Sequence, residues 1–311
     1  MGTETLFGVT FDTRPTMLAS WPGMGNVGIM SVDYVRRMLG ARPFAAIDMS
    51  EFFTPDNIIV EEGVAKVPQL PSSAFYYHKN PDIIFFESDT QIGGKEGITI
   101  LQAVLEIARQ LRVVRIITAA ALAEPISHTA PSRVYCVGNN KEILEQMETL
   151  GTQPLHEGAI SGQNGVLLSV AQSKHIDAAC LLGTIPSYAA NISYPKAAIE
   201  VISVIKNLLG ITLDLIELES AASELDDRLD GIESKIRELF PNAINETEEG
   251  NDNETPTYIM EKIERLFEEA HKDRSRINEL KQELDRWELF KHYEDRFLDL
   301  FKPENDEKDE L

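Results

Sequence analysis

"SWPGMGNVGIM", residues 20–30, contains a literal G-x-G-x-x-G in Gly23, Gly25 and Gly28. An apolar run, "TMLASW", precedes it, and a helical pattern over Val27–Leu39 follows, closed by Gly40. A strand running through glycines into a helix is the sequence form of a dinucleotide-binding turn. Asp48 lies 20 residues beyond Gly28, near the end of the next apolar run, where a ribose-binding acid belongs. Other features oppose that reading. Trp21-Pro22 puts bulk directly before the first glycine, and the next unit is a hairpin rather than a helix and third strand. No second mononucleotide unit follows. The turn therefore reads as a backbone corner that needs close packing, with a pocket wall for a smaller ligand or oxyanion as the other possibility.

Working outward, the first 210 residues alternate short apolar runs with helical patterns. "FAAIDMSEFF" reads as a strand, and "NIIVEEGVAKVPQL" as a hairpin turning at Gly63. "SAFYYHK" and "DIIFFESD" follow as strands. A helix over Glu96–Leu111 leads to the strand "VVRIITAAAL". Then come "RVYCVG", a helix over Lys141–Leu150, a helix in "GVLLSVAQSKH", the strand "DAACLLG" and a helix over Lys196–Leu209 closed by Gly210. This alternation predicts an α/β fold, a mostly parallel sheet with helices on both faces. The hairpin region adds a mixed sheet or an inserted β-ribbon.

From Leu218 the pattern changes. Leu218, Ala222, Leu225, Leu229, Ile232, Ile236 and Leu239 step by four and three, which predicts a coiled-coil-type seam over about 214–240. Pro241 ends it. Residues 241–256 hold five acids and no base, and read as a disordered linker. A second helix is expected over 257–301, paired as a hairpin or reaching another subunit, with a disordered acidic tail over 302–311. The expected divisions are thus a core over 1–213 and an acidic helical extension over 214–301.

Charge follows the same division. Of the net −22, residues 1–210 carry 20 acids against 15 bases, and residues 211–311 carry 31 against 14. Such a surface repels phosphate backbones, so nucleic acid is not an expected partner. No apolar run reaches the ~18 residues of a membrane span, and the first residues lack the basic flank and apolar stretch of a secretory signal. A cytoplasmic location is expected. Cys136 and Cys180, the only cysteines, lie in apolar runs and read as buried thiols. Lys308-Asp309-Glu310-Leu311 spells an endoplasmic-reticulum retention signal, which has no use without a leader.

Catalytic signals are sparse. The six histidines show no metal spacing, and neither a G-x-S-x-G elbow nor a phosphate-binding G-x-x-x-x-G-K-[ST] loop is present. No metal, cofactor or catalytic residue is expected. Glu124 and His128 follow a strand and could act as acid and base, but surface loop residues are the commoner outcome. Polar segments do fall where strands end or helices begin. With Gly23, Gly25, Asn26 and Gly28 of the turn, the candidates to line one pocket are Asp89, Thr90, Gln91, Ser161, Gln163, Asn164, Ser187 and Tyr188. The same residue types cap helices and satisfy turns, so a local role stays open.

"WPGMGNVGIMSVDYVRRMLGA" resembles the opening of the proteasome assembly chaperone 2 family. Later blocks agree in order: "FFTPDNIIVEEGVAKVPQLPSSAFYYHK", "DIIFFESDTQIGGKEGITILQAVLEIARQL", and the long block from "GAISGQNGVLLSVAQ" to "VISVIKNLLG". The resemblance covers roughly residues 16–216. It implies a three-layer α/β/α sandwich similar to nucleoside phosphorylase-like folds. It also implies self-association, as a trimer or larger, and a part in assembling the proteasome α-ring with proteasome subunits or a related chain as partner. Some archaeal relatives carry a hydrophobic-Tyr-X tail that docks on the proteasome, and this chain ends differently. The function expected is a non-enzymatic assembly chaperone or scaffold. The alternative is a binder or enzyme for a nucleoside-like small molecule at the strand ends.

Overall fold

The computed structural model describes residues 3–5, 8–53, 58–66, 70–239, 263–267, 269–270, 276–287 and 289–300. Eleven strands are present among them: β1 Thr3–Thr5, β2 Thr16–Ser20, β3 Arg42–Ile47, β4 Ile59–Glu61, β5 Val64–Lys66, β6 Ser73–His78, β7 Ile83–Ser88, β8 Arg115–Glu124, β9 Val134–Gly138, β10 Gln153–Pro154 and β11 Asp177–Pro186. The helices of the sandwich are α1 Val27–Met38, α2 Gly94–Gln110, α3 Lys141–Glu148, α4 Gln163–Gln172 and α5 Pro195–Leu209, followed by α6 Ile216–Leu239. The chain divides into two compact units, 1–232 and 233–311.

The first unit is a three-layer α/β/α sandwich around a nine-stranded mixed sheet of order β1-β3-β6-β7-β2-β8-β11-β9-β10. Its centre, β7-β2-β8-β11, runs parallel, while β6, β3 and β1 on one side and β9 on the other bring antiparallel pairings. β2 is buried along its whole length, which is why Met17, Leu18 and Ala19 stand in a row without polar alternation. Alternate residues feed two cores. Leu18, Phe85, Ile117 and Leu181 face α1, α3 and α5, whereas Met17, Phe86, Ile116 and Cys180 face α2 and α4.

The glycine corner is resolved by its backbone. Gly25 has φ +60°, a left-handed conformation open to glycine. Its N–H donates to the Ala190 carbonyl and its own carbonyl accepts from Tyr194 N–H, both at 2.8 Å. Asn26 N–H donates to the Gly23 carbonyl at 3.0 Å. Two donors that could meet a pyrophosphate are therefore spent on backbone carbonyls, one of them outside the turn. At Gly28, a Cβ would stand 2.0 Å from the Ala119 carbonyl oxygen of β8. The glycine is there because α1 lies directly on the strand. Asp48, the candidate ribose acid, instead accepts from Ser50 N–H at 2.9 Å and caps a short 3₁₀ turn over Met49–Glu51. That turn also ends β3 at Ile47, so the strand expected through "DMSEFF" stops early. A cap of this kind competes locally with strand pairing.

The hairpin turning at Gly63 forms, as β4 and β5, outside the main sheet. Glu62 and Gly63 both have positive φ, +52° and +79°, the type I′ geometry that matches strand twist.

On α6, Leu218, Ala222, Leu225 and Leu229 are buried or half-buried, and the three leucines pack into the core that holds α1 and α5. The first part of the expected coiled-coil seam is thus used intramolecularly, against the sandwich. The expected linker 241–256 and tail 302–311 lie outside the described residues. In the second unit, where one continuous helix is expected over 257–301, residues 263–267 are helical and are followed by helices Ile277–Arg286 and Phe290–Asp299. Leu289 N–H closes on the Leu284 carbonyl at 2.9 Å between them. Phe267, Leu280, Leu284, Tyr293 and Phe297 share one core, which a single straight helix could not assemble.

A buried ion pair joins α1 to β7. Arg36 Nε donates to Glu87 Oε2 at 2.8 Å and its guanidinium lies 4.3 Å from the centre of the Tyr76 ring. The Glu87 side chain is only 12% exposed. Burial pushes its carboxyl up to about 7, against the lowering effect of Arg36.

Two predictions follow from these contacts. Gly28→Ala should cost about 3 kcal/mol or more in urea denaturation, since backbone must move. Gly23→Ala meets nothing nearer than 3.9 Å and should cost less than about 1 kcal/mol. For Glu87, a raised folded pKa means that the native state holds the extra proton between the unfolded value and about 7. Its contribution therefore falls as pH rises through that window and is level above it. The stability of wild type minus that of Glu87→Gln should drop, on the order of 2 kcal/mol, between pH 5 and pH 8. A flat difference would refute the assignment.

Candidate functional site

The four central parallel strands end together, and the loops after β2, β7, β8 and β11 meet the first turn of α4 there. Open α/β sheets bind ligands at such ends. The polar side chains expected to line a pocket are present at this end, but most are turned onto backbone. Asn164, 2% exposed, forms a two-way amide pair with Trp21: its Oδ1 accepts from Trp21 N–H at 3.0 Å and its Nδ2 donates to the Trp21 carbonyl at 3.1 Å. Its own carbonyl accepts from Thr118 Oγ1 at 2.7 Å. The side chain thus continues the ladder past the end of β2.

The glutamines do the same for the next loop. Gln91 Nε2 donates to the Pro22 carbonyl, and Gln91 Oε1 accepts from Gln163 N–H at 3.0 Å. Gln163 Oε1 accepts in turn from Ile92 N–H at 3.0 Å. Gly23, Gln91, Gln163 and Asn164 are therefore brought together, as a clasp across three loops. Asp89 stands apart. Its two carboxylate oxygens accept from Ser72 N–H at 2.9 and 3.0 Å. Thr90 caps locally on Ser88 Oγ. Asn26 Nδ2 donates to Ser193 Oγ at 3.0 Å, while Ser161 and Ser187 are exposed. A cleft of about 190 Å³ remains beside the clasp, lined by Gln91, Gly94, Ile98, Gly162, Gln163 and Val166. A wider groove of about 540 Å³ runs along α4, past His156, Glu157 and Ser169.

Tyr188 belongs to a cluster that the sequence did not disclose. His128, expected as a surface residue beside Glu124, is 3% exposed. Its backbone N–H and Nδ1 both meet the Tyr188 hydroxyl, at 2.8 and 3.0 Å, and its Nε2 meets Asp230 Oδ1 of α6 at 2.8 Å. Lys196 Nζ donates to the His128 carbonyl at 2.6 Å and pairs with Asp226 at 2.7 Å. The spacing of Asp226 and Asp230, four apart beside Leu225 and Leu229, was the available signal. It marks acids on the edge of a buried stripe.

Chemistry finds little support among the described residues. No group of three or more His, Cys, Asp or Glu side chains converges as a metal site. Cys136 and Cys180 are free and buried, and burial pushes both thiols up to about 12, far from a nucleophilic thiolate.

Beside exposed polar residues such as Lys95, Glu96 and Ser161, this end exposes a group of apolar ones. Twelve large apolar residues are exposed among the described residues, and five of them belong to the loops and helix starts at this end. Met24, Ile98, Val166, Tyr188 and Ile192 surround the loops, and Ile58, Ile59, Val60, Val64 and Leu70 stand on or beside the β4–β5 ribbon. The ribbon rises from this end because β3 runs in the direction of β7. Clustered exposure of this kind marks an interaction surface more than scattered residues do.

No helix among the described residues is long and apolar enough to cross a membrane. A search of curated proteins found no match. Among solved structures, Pyrococcus furiosus PbaB, an archaeal proteasome activator, superposes with a TM-score of 0.63 at 22% identity, covering 75% of this chain and 98% of its own. A PAC2 family protein from Streptomyces avermitilis gives 0.61 at 19% identity, covering 73% and 100%. A proteasome-assembly chaperone homologue from Mycobacterium tuberculosis gives 0.60 at 19% identity, covering 70% and 94%. At these identities the likeness speaks for the fold. The PAC2 family model matches residues 17–233, from the first buried strand through the packed part of α6. The chain therefore belongs to the PAC2 family.

Proposed function

We propose that this protein is an assembly chaperone or scaffold that works through protein surfaces rather than chemistry, in self-association and with proteasome-related chains. The observation that carries this reading is the distribution of exposed apolar side chains. They gather around loops whose polar groups are consumed by internal hydrogen bonds. A ligand site needs, within its apolar lining, a few convergent polar groups free to bind. The β4–β5 ribbon adds weight, because a two-stranded ribbon with exposed apolar residues on it is marginal alone in water. Membership of the PAC2 family, and fold likeness to a proteasome activator and to homologues of proteasome-assembly chaperones, support the choice of partner class. A cytoplasmic setting accompanies this role. The small-molecule reading has less behind it, since Gln91, Gln163 and Asn164 are already occupied.

Light scattering on the full chain tests the reading. Val60→Asp with Val64→Asp, and Val166→Asp with Ile192→Asp, should each lower the mass of the particle while far-UV circular dichroism stays unchanged. Ile216→Asp, 68% exposed at the opposite end of the sheet, should leave the mass as in wild type. A wild-type monomer would remove self-association. Loss of mass in the Ile216 variant alone would move the interface elsewhere.

A further inference from the structure

We propose that Tyr188, His128 and Asp230 form a relay that couples the carboxyl-end face to the docking of α6 on the sandwich. Three facts place them in series. The Tyr188 ring is 58% exposed on that face, so whatever covers the face touches it. Its hydroxyl is held by His128, meeting both the backbone N–H and Nδ1. The far side of the same imidazole holds Asp230 Oδ1 at 2.8 Å.

Proton positions make the series a coupling. A carboxylate only accepts, so Nε2 carries the proton that reaches Asp230. In the neutral ring Nδ1 is then an acceptor, and the Tyr188 O–H is its donor. The phenol oxygen takes the His128 N–H on its lone pair. Removing or turning the phenol strips Nδ1 of its donor and leaves a buried N–H unmet. Asp230 still holds the proton on Nε2, but the ring loses the bond that fixes its orientation from the other side, and its contact with Asp230 weakens. Lys196, bridging the His128 carbonyl and Asp226, carries the same disturbance to α6 one turn earlier. Leu229 is buried between these two contacts, so the end of the packed stripe loosens with them.

The relay is a property of the isolated chain. It rests on the docking reading of the face only for what moves Tyr188 in service, so the two can fail separately. Tyr188→Phe keeps the ring on the face and deletes the hydroxyl alone. Asp230→Ala deletes the acceptor at a 63% exposed position, and alanine favours helix. Faster opening would therefore run against propensity.

Amide hydrogen exchange on the full-length chain reads the outcome over 218–231. Each variant should speed exchange there roughly tenfold, the scale of a lost charge-assisted or buried hydrogen bond. The double variant should be no faster than the quicker single one, because His128 joins Tyr188 to Asp230. Glu224→Gln, on the same helix in an exposed pair with Arg228, should change exchange by less than about twofold. Unchanged exchange in either single variant, or effects that multiply in the double, overturns the relay. Should Tyr188→Phe also loosen β8 and β11, Asp230→Ala alone decides, and no gain in 218–231 overturns the proposal.

Discussion

Everything at the working end of this molecule depends on how closely α1 lies against β8. At Gly28 there is no room for a single methyl group, because the Ala119 carbonyl oxygen occupies it. That contact sets the height of the helix over the sheet. The height in turn requires the sharp corner at Gly25, whose N–H and carbonyl are tied to Ala190 and Tyr194. The loop carrying Ala190 and Tyr194 follows β11 and leads into α5. One close approach therefore fixes the exits of β2 and β11 together and places Met24, Tyr188 and Ile192 on one face.

A glycine-rich strand-to-helix turn serves phosphate binding when its N–H groups point outward and unmet. Here the same composition serves the opposite end, with the donors turned inward. The amide side chains extend this logic. Asn164 supplies a pair for Trp21 where the ladder of β2 runs out, and Gln91 and Gln163 exchange bonds with the backbone of each other's loops. Amides satisfy both donors and acceptors without charge, so the loops are tied to one another through neutral groups. Loops held in this way suit the proposed docking surface, since less entropy is lost on binding.

The sheet and its helices were legible because their signals are local. β2 and β11 show as continuous apolar runs, α5 as a periodic stripe ending at Gly210, and the ribbon as a turn at Gly63. Asp48 was harder, since a cap two residues ahead and a ribose ligand call for the same side chain. The polar candidates were found at the right end of the sheet, but which way an amide turns depends on partners 72 to 143 residues away, such as Gln163 for Gln91 and Trp21 for Asn164. His128 escaped for the same reason. Its burial comes from α6, 102 residues downstream, and no neighbour in sequence foretells it. The break in the second unit carries no glycine or proline, and only the shared core of Leu284 and Phe297 accounts for it.

The attachment of α6 separates strength from register. Its leucines at 218, 225 and 229 supply the burial, and apolar area is indifferent to a small slide along the groove. Its acids are not indifferent. Glu217 stands 3.6 Å from Arg37 at one end of the sheet, and Asp226 and Asp230 meet Lys196 and His128 toward the other. An exposed ion pair such as Glu217–Arg37 contributes little, about 0–1 kcal/mol. A slip of one turn would break all three at once and strand the buried His128 without its acceptor, which costs more than any one pair gains. In a segment as acidic as this one, with 31 acids against 14 bases over residues 211–311, most carboxylates have no cation to find. Glu217, Asp226 and Asp230 are spaced to allow a single seating of the helix, and that seating brings Asp230 to the residue that also holds Tyr188.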